Sequence, residues 1–144
     1  MSSPLNINLI IPFKDNKTGR LNLYRNEIEW FKENLAIRVE DLKEELTSLF
    51  GEGFELTLAP RSDGNSRKYY WRFKSSKRDR KYNRLHTNSV VEYVGMFDEA
   101  RKLRLKEIEE ELIYINANLK LIKGMLDSID QSVEERAELR KANI

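Results

Sequence analysis

The stretch RKYYWRFKSSKRDRKYNR, residues 67–84, sets the reading of this chain. It holds nine Lys or Arg, one acid (Asp79) and five aromatic residues: Tyr69, Tyr70, Trp71, Phe73 and Tyr82. The segment carries +8 whereas the whole chain carries +2, so the remainder sums to −6. Alternation along a strand over 67–74 puts Tyr69, Trp71 and Phe73 on one side. Lys68, Tyr70, Arg72 and Lys74 fall on the other. The first side is expected to pack on a helix and the second to face out. Positive charge concentrated beside aromatic rings suits a polyanion, and nucleic acid above all. The plainer reading is a soluble strand pair whose cations only guard an edge against pairing. One acid among ten charges exceeds what edge protection requires.

Working outward, residues 54–86 read as a three-stranded meander. The first strand is Phe54 to Ala59, ended by Pro60. Residues 61–66 have turn composition, and the second strand runs from Arg67 to Lys74. A tip at 75–78 leads into a third strand over 80–86. Before it, residues 20–50 read as a helix. Leu21, Tyr24, Ile28, Phe31, Leu35, Val39, Leu42, Leu46 and Leu49 fall on one face, and Gly51 and Gly53 stop it. Trp30 and Ile37 fall off that stripe. After the meander, residues 87–142 are helical again, with a break at Gly95. Leu105, Ile108, Leu112, Ile115, Leu119, Ile122, Leu126, Ile129 and Val133 alternate steps of three and four, a heptad seam of leucine and isoleucine. Residues 1–19, with Pro4 and Pro12, read as an N-terminal arm in which Ile7 to Ile11 forms a short strand or extended segment.

These parts predict an α+β fold: a long antiparallel helical hairpin, coiled-coil-like, with an inserted three-stranded antiparallel β-meander. The last helix would exceed the first, about 60 Å against about 45 Å. The surplus leaves part of the seam uncovered, so Leu112, Ile115, Leu119, Ile122, Leu126 and Ile129 are expected at an oligomer interface. A homodimer is favoured and a tetramer second. A dimer would hold two basic hairpins at a fixed separation, as two half-sites on a duplex require.

The candidate nucleic-acid contacts are Arg61, Lys68, Tyr70, Arg72, Lys74, Lys77, Arg78, Arg80, Lys81 and Arg84. Arg72, mid-strand, and Arg78, at the tip, are the candidates for specific contacts. A guanidinium can bind guanine O6 and N7 with two hydrogen bonds, whereas lysine is mainly a phosphate charge. Tyr70 is the outward aromatic, placed to stack on an unpaired base or to bond phosphate. Trp71 reads as core.

Other chemistry finds little support. The chain has no cysteine and one histidine, His86, so a catalytic triad or a zinc site is not readily assembled. There is no phosphate-binding glycine loop. The run Glu107, Glu109, Glu110 and Glu111 reads as a solvated helix face. No enzyme activity, cofactor or metal is expected. No apolar run reaches a membrane span, the N-terminus does not read as a signal peptide, and a cytoplasmic location is expected.

Tyr70-Trp71-Arg72-Phe73 lies in a basic hairpin and is followed by Tyr82-Asn83-Arg84-Leu85. Glu109-Glu110-Glu111-Leu112 then precedes Asn116-Ala117-Asn118-Leu119 on a long helix. This order of parts, over residues 67–129, resembles small accessory proteins of conjugative plasmids and integrative elements, including the MobI-type mobilisation proteins. The resemblance implies a role in starting DNA transfer, by helping a relaxase act at the transfer origin. A meander before a helix is also similar to the arm-binding modules of tyrosine integrases, from which the long heptads depart. The expected function is a non-enzymatic, oligomeric DNA-binding accessory protein that contacts duplex DNA with a basic β-hairpin. Two alternatives stand beside it. One is a coiled-coil adaptor or inhibitor from a mobile element or phage, docking an acidic protein. The other is an RNA or single-strand binder using Tyr70 and Trp71.

Overall fold

A computed structural model of the chain describes residues 18–64, 66–75 and 77–144. The expected arm lies outside these up to residue 17, and Thr18 and Gly19 open the first helix. In order, the elements are α1 (Thr18–Phe50), β1 (Leu56–Asp63), β2 (Ser66–Phe73), α2 (Asn88–Val94) and α3 (Glu99–Lys141). The architecture is α+β, with three helices and one two-stranded antiparallel sheet among the described residues. It is not a three-stranded meander on a helical hairpin. The chain divides into two compact units, and the division cuts both long helices. One unit is residues 35–120. The other comprises residues up to 34 together with 121–144.

In the 35–120 unit, every other residue of the hairpin turns inward. Leu56, Leu58, Tyr69, Trp71 and Phe73 are buried in one cluster with Val39, Leu42 and Leu46 of α1, Val90 and Tyr93 of α2, and Leu105 to Leu119 of α3. Each such side chain removed from water contributes about 1.5–3 kcal/mol, so this face fixes which side of the hairpin is left outside. Trp71 is fully buried, and its indole N–H has no hydrogen-bond partner among the described residues. Phe50 and Phe54 stack at 4.1 Å, and Phe97 and Tyr93 complete an aromatic cluster at the end of α1. Gly51, at φ 80°, ends α1 in the left-handed conformation that glycine adopts without a Cβ penalty. Gly64, at φ 67°, turns the hairpin in the same way.

The missing third strand has a physical cause. The edge of β2 away from β1 exposes the N–H and C=O groups of Tyr69 and Trp71, and the C=O of Phe73. Asn116 of α3 meets the first pair. Its Oδ1 accepts from the Tyr69 N–H at 2.8 Å, and its Nδ2 donates to the Tyr69 carbonyl at 3.0 Å. The Asn83 backbone meets the second, with bonds of 2.9 and 2.8 Å to Trp71 that form an isolated bridge. Arg80 Nη1 donates to the Phe73 carbonyl at 3.4 Å. The chain over 80–86 therefore touches β2 at single points and builds no ladder. Asp79 reinforces this. Its Oδ1 accepts from the Lys81 N–H at 3.1 Å and from Asn83 Nδ2 at 3.2 Å, which holds 79–83 in a turn.

The same parity explains why β1 runs through Pro60 rather than ending there. Pro60 stands opposite Tyr69, and Tyr69 directs its backbone bonds to Asn116. The pair is thus a non-hydrogen-bonded one, and the N–H that proline lacks is not needed by the ladder.

The heptad stripe is interior. Leu112, Ile115 and Leu119 are 0–7% exposed in the 35–120 unit, and Ile122, Leu126 and Ile129 are 2–7% exposed in the other. The second unit also buries Leu21 and Ile28, and carries an ion pair between Arg25 and Asp130. Since the chain covers these six positions itself, the surplus-length argument for an oligomer interface fails. Only Val133, at 43%, emerges from the stripe.

Two arginine–glutamate pairs tie α1 to α3 within the 35–120 unit. Arg38 holds Glu111 through two bonds, one of 2.9 Å, and Arg104 holds Glu45 through two, one of 2.7 Å. The hydrogen bond from each arginine keeps its carboxyl below the usual carboxylate range. As pH falls, the unfolded chain therefore takes up protons first, at the ordinary value of about 4.3. The stabilisation is complete above that value and is lost as pH falls through the lower folded values. With each group about a third exposed, each pair contributes on the order of 0.5–1 kcal/mol. Thermal melting followed by circular dichroism should be level from neutral pH to about 5 and decline below about 4. Glu45→Gln with Glu111→Gln should lower the neutral plateau and shrink the acid-side decline.

The two asparagines of α3 should separate sharply. Asn116→Leu strands both backbone groups of Tyr69 and should cost about 1–3 kcal/mol in urea denaturation. Asn118→Ala removes only an exposed bond to the Tyr114 carbonyl, and should change stability by less than about 0.5 kcal/mol.

Candidate nucleic-acid interface

With Tyr69, Trp71 and Phe73 turned inward, the other face of the hairpin carries Thr57, Ala59 and Arg61 of β1. Opposite them stand Arg72, Tyr70 and Lys68 of β2 respectively. Tyr82 comes onto this face from the segment after β2. Its neighbour Asn83 is 4% exposed and is pinned by the two backbone bonds to Trp71. The Arg72 guanidinium lies 4.7 Å from the centre of the Tyr82 ring and that of Arg61 lies 5.6 Å from it. Tyr70 meets Tyr82 edge-on, at 6.1 Å and 71°. Arg84 lies 5.7 Å from the centre of the Tyr70 ring. Arg72 also donates from Nε to the Arg80 carbonyl at 3.2 Å and from Nη1 to the Tyr82 hydroxyl at 3.3 Å.

Of the residues singled out from sequence, the fold gathers Arg61, Tyr70 and Arg72 around Tyr82, and sets Arg84 against the Tyr70 ring. Lys68 shares their face of the sheet. Lys74, Lys77, Arg80 and Lys81 are exposed along the segment leaving β2. Arg80 spends one Nη1 on the Phe73 and Lys74 carbonyls and pairs with no carboxylate among the described residues. Arg61, Arg72, Lys74, Lys77 and Lys81 likewise form no ion pair with described residues.

Two cations are committed elsewhere. Arg78, expected at the tip with the greatest reach, lies 5.2 Å from the Phe73 ring centre and 5.0 Å from that of Tyr93. It also pairs with Glu55 at 2.6 Å. Arg84 donates to Glu109 at 3.0 Å, and Glu109 also accepts from the Leu85 N–H at 2.5 Å. Glu109 is 8% exposed and Glu111 is paired with Arg38, so the acidic run on α3 is not the uniformly solvated face that its composition suggests. The one acid of the basic stretch is also occupied. The Asn83 amide, helped by the Ser89 side chain and the Lys81 backbone N–H, holds the Asp79 carboxyl below the usual range.

Sequence reasoning missed Tyr82 as a member of this face, and Asn116 and Asn83 as the groups that shape it. Its only signal for Tyr82 was an aromatic ring between Arg80 and Arg84. A separate cavity of about 550 Å³ lies against α2 and α3, with Leu85, Val91, Val94, Glu109 and Ile113 in its wall. Among the described residues no group of three or more acidic or histidine side chains is placed to hold a metal ion. No described helix is long and apolar enough to cross a membrane. No protein-family model, curated protein or solved structure matches the chain.

The committed and uncommitted cations should behave differently when removed. Arg78→Ala loses an ion pair and two ring contacts, and should cost about 1 kcal/mol in urea denaturation. Lys77→Ala, at an exposed residue that forms no ion pair with a described residue, should be neutral within about 0.5 kcal/mol.

Proposed function

We propose that the outer face of the β1–β2 hairpin binds nucleic acid, duplex DNA first, and that the protein acts as a non-enzymatic DNA-binding accessory protein. The observation that carries this reading is the state of the charges. Arg61, Arg72, Lys74, Lys77 and Arg80 stand on or beside one face without an ion pair to a described carboxylate, and Lys81, which faces Asp79, stands beside them. Self-neutralised edge protection would leave no such excess. Arg72 is the group to contact a base or a phosphate with a fixed geometry, since two bonds and a ring hold its guanidinium. Lys74, Lys77 and Lys81 supply sequence-independent phosphate charge. Arg78 serves the core rather than the ligand. The resemblance to MobI-type mobilisation proteins would place this binding at a transfer origin, beside a relaxase.

Fluorescence anisotropy with a labelled duplex, repeated across a salt series, tests the reading. Binding should weaken steeply with salt. Replacing Lys77 and Lys81 together by Ala should reduce the slope of log K against log salt by about 2, on every sequence tried. Absence of binding at low salt, or binding indifferent to salt, would remove it. Co-purification with an acidic protein, without affinity for DNA, would favour the adaptor reading instead.

A further inference from the structure

The arrangement around Tyr82 says more than charge alone, provided that this face binds nucleic acid. A ring that stacks on a base must present an open face to it. Tyr82 already carries Arg72 and Arg61 within 5.6 Å of its centre. Tyr70 already carries Arg84 at 5.7 Å and meets Tyr82 edge-on. Both outward rings are thus engaged by the protein's own cations. The guanidiniums, by contrast, keep donors in hand. Of the five N–H groups of an arginine, Arg72 uses one on the Arg80 carbonyl and one on the Tyr82 hydroxyl.

Tyr82 is itself held firmly. Asn83, beside it, makes both backbone bonds to the fully buried Trp71, and its side chain is bonded to Asp79. A loose loop could not orient two arginines; a residue anchored to the sheet can. A guanidinium fixed before the ligand arrives loses less freedom on binding.

We infer that Tyr82 is a positioning residue that sets Arg61 and Arg72 against the phosphate backbone of a duplex, and that neither Tyr82 nor Tyr70 stacks on bases. The interface is an arginine rack with tyrosine spacers. Its ligand is double-stranded, because a duplex presents phosphates at regular intervals and keeps its bases stacked on one another. An unpaired strand would have to displace these arginines before its bases could stack where they sit.

Anisotropy with a labelled duplex, its separate strand and an RNA of the same sequence tests this, using the full chain and the variants Tyr82→Phe, Tyr82→Leu and Arg72→Ala. Wild type should prefer duplex over both single strands. Tyr82→Leu should weaken duplex binding about tenfold, or about 1.4 kcal/mol. Its salt slope should remain within about 1 of wild type, because the cations remain and only their placement is lost. Tyr82→Phe keeps the ring packing and the fold and loses one hydroxyl contact, so about two- to threefold weakening is expected. Arg72→Ala should weaken binding and lower the slope by about 1. If Tyr82→Leu and Tyr82→Phe bind duplex like wild type while Arg72→Ala does not, the positioning role falls and the nucleic-acid reading stands. Tighter binding of single strands, lost in Tyr82→Leu and kept in Tyr82→Phe, would mean base stacking and overturn the inference. Failure of wild type to bind any of the three ligands at low salt removes both.

Discussion

The outer edge of β2 is the constraint on which the rest of this structure depends. A two-stranded ribbon leaves backbone donors and acceptors open on both sides, and such groups cannot be buried unpaired. Here a side-chain amide, a backbone pair and a guanidinium close one edge in place of a strand. Asn116 does so from a helix 47 residues away in the chain. Because it binds both backbone groups of Tyr69, it fixes the sheet on α3 in register as well as in distance. Asn83 does the same for Trp71.

Everything on the outer face follows from that closure. Register on α3 decides that Tyr69, Trp71 and Phe73 are inside, so Lys68, Tyr70 and Arg72 are outside. The Asn83 bridge then delivers Tyr82 above them, and the arginines settle on its ring. A third strand along 80–86 would have extended the sheet sideways. With the bridge reduced to a single point, the segment folds over the face and gives it relief. Its cations, Arg80 and Lys81, are thereby gathered beside Arg72 rather than spread along another strand. The core side has a corresponding economy. Arg78 and Glu55 close the aromatic cluster at Phe73 and Tyr93, and that removes the tip arginine from any ligand-facing role.

Much of this was legible in the sequence, and the remainder was hidden for identifiable reasons. Period-two alternation in 67–74 gave the inward and outward sides of β2 residue by residue, because strand geometry leaves no other choice. The heptad spacing gave the buried stripe of α3 equally well. It did not reveal that the same chain covers the stripe at Ile122, Leu126 and Ile129, because spacing marks a face without naming its partner. The third strand was misread because Arg80 to His86 can be extended, and nothing local reveals that Asn116 has already taken the edge it would need. Pro60 was misread as a strand end because proline's tolerance depends on pairing parity, which appears only when Tyr69 is seen to bond elsewhere. Arg78 and Arg84 read as free cations, since Glu55 and Glu109 are distant in sequence from the residues they neutralise.

The central claim is spatial: one face of the hairpin meets the nucleic acid, and the tyrosines order its arginines. The most direct measurement is an NMR titration of the labelled protein with a short duplex, following backbone amides and arginine Nε–H signals together. The account predicts that shifts concentrate at Arg61, Arg72, Lys74 and Tyr82, while the Arg78 Nε–H and the amides of Trp71 and Asn116 stay still. Shifts centred on α3 or on the Arg78–Glu55 pair, with the hairpin face unchanged, would contradict it.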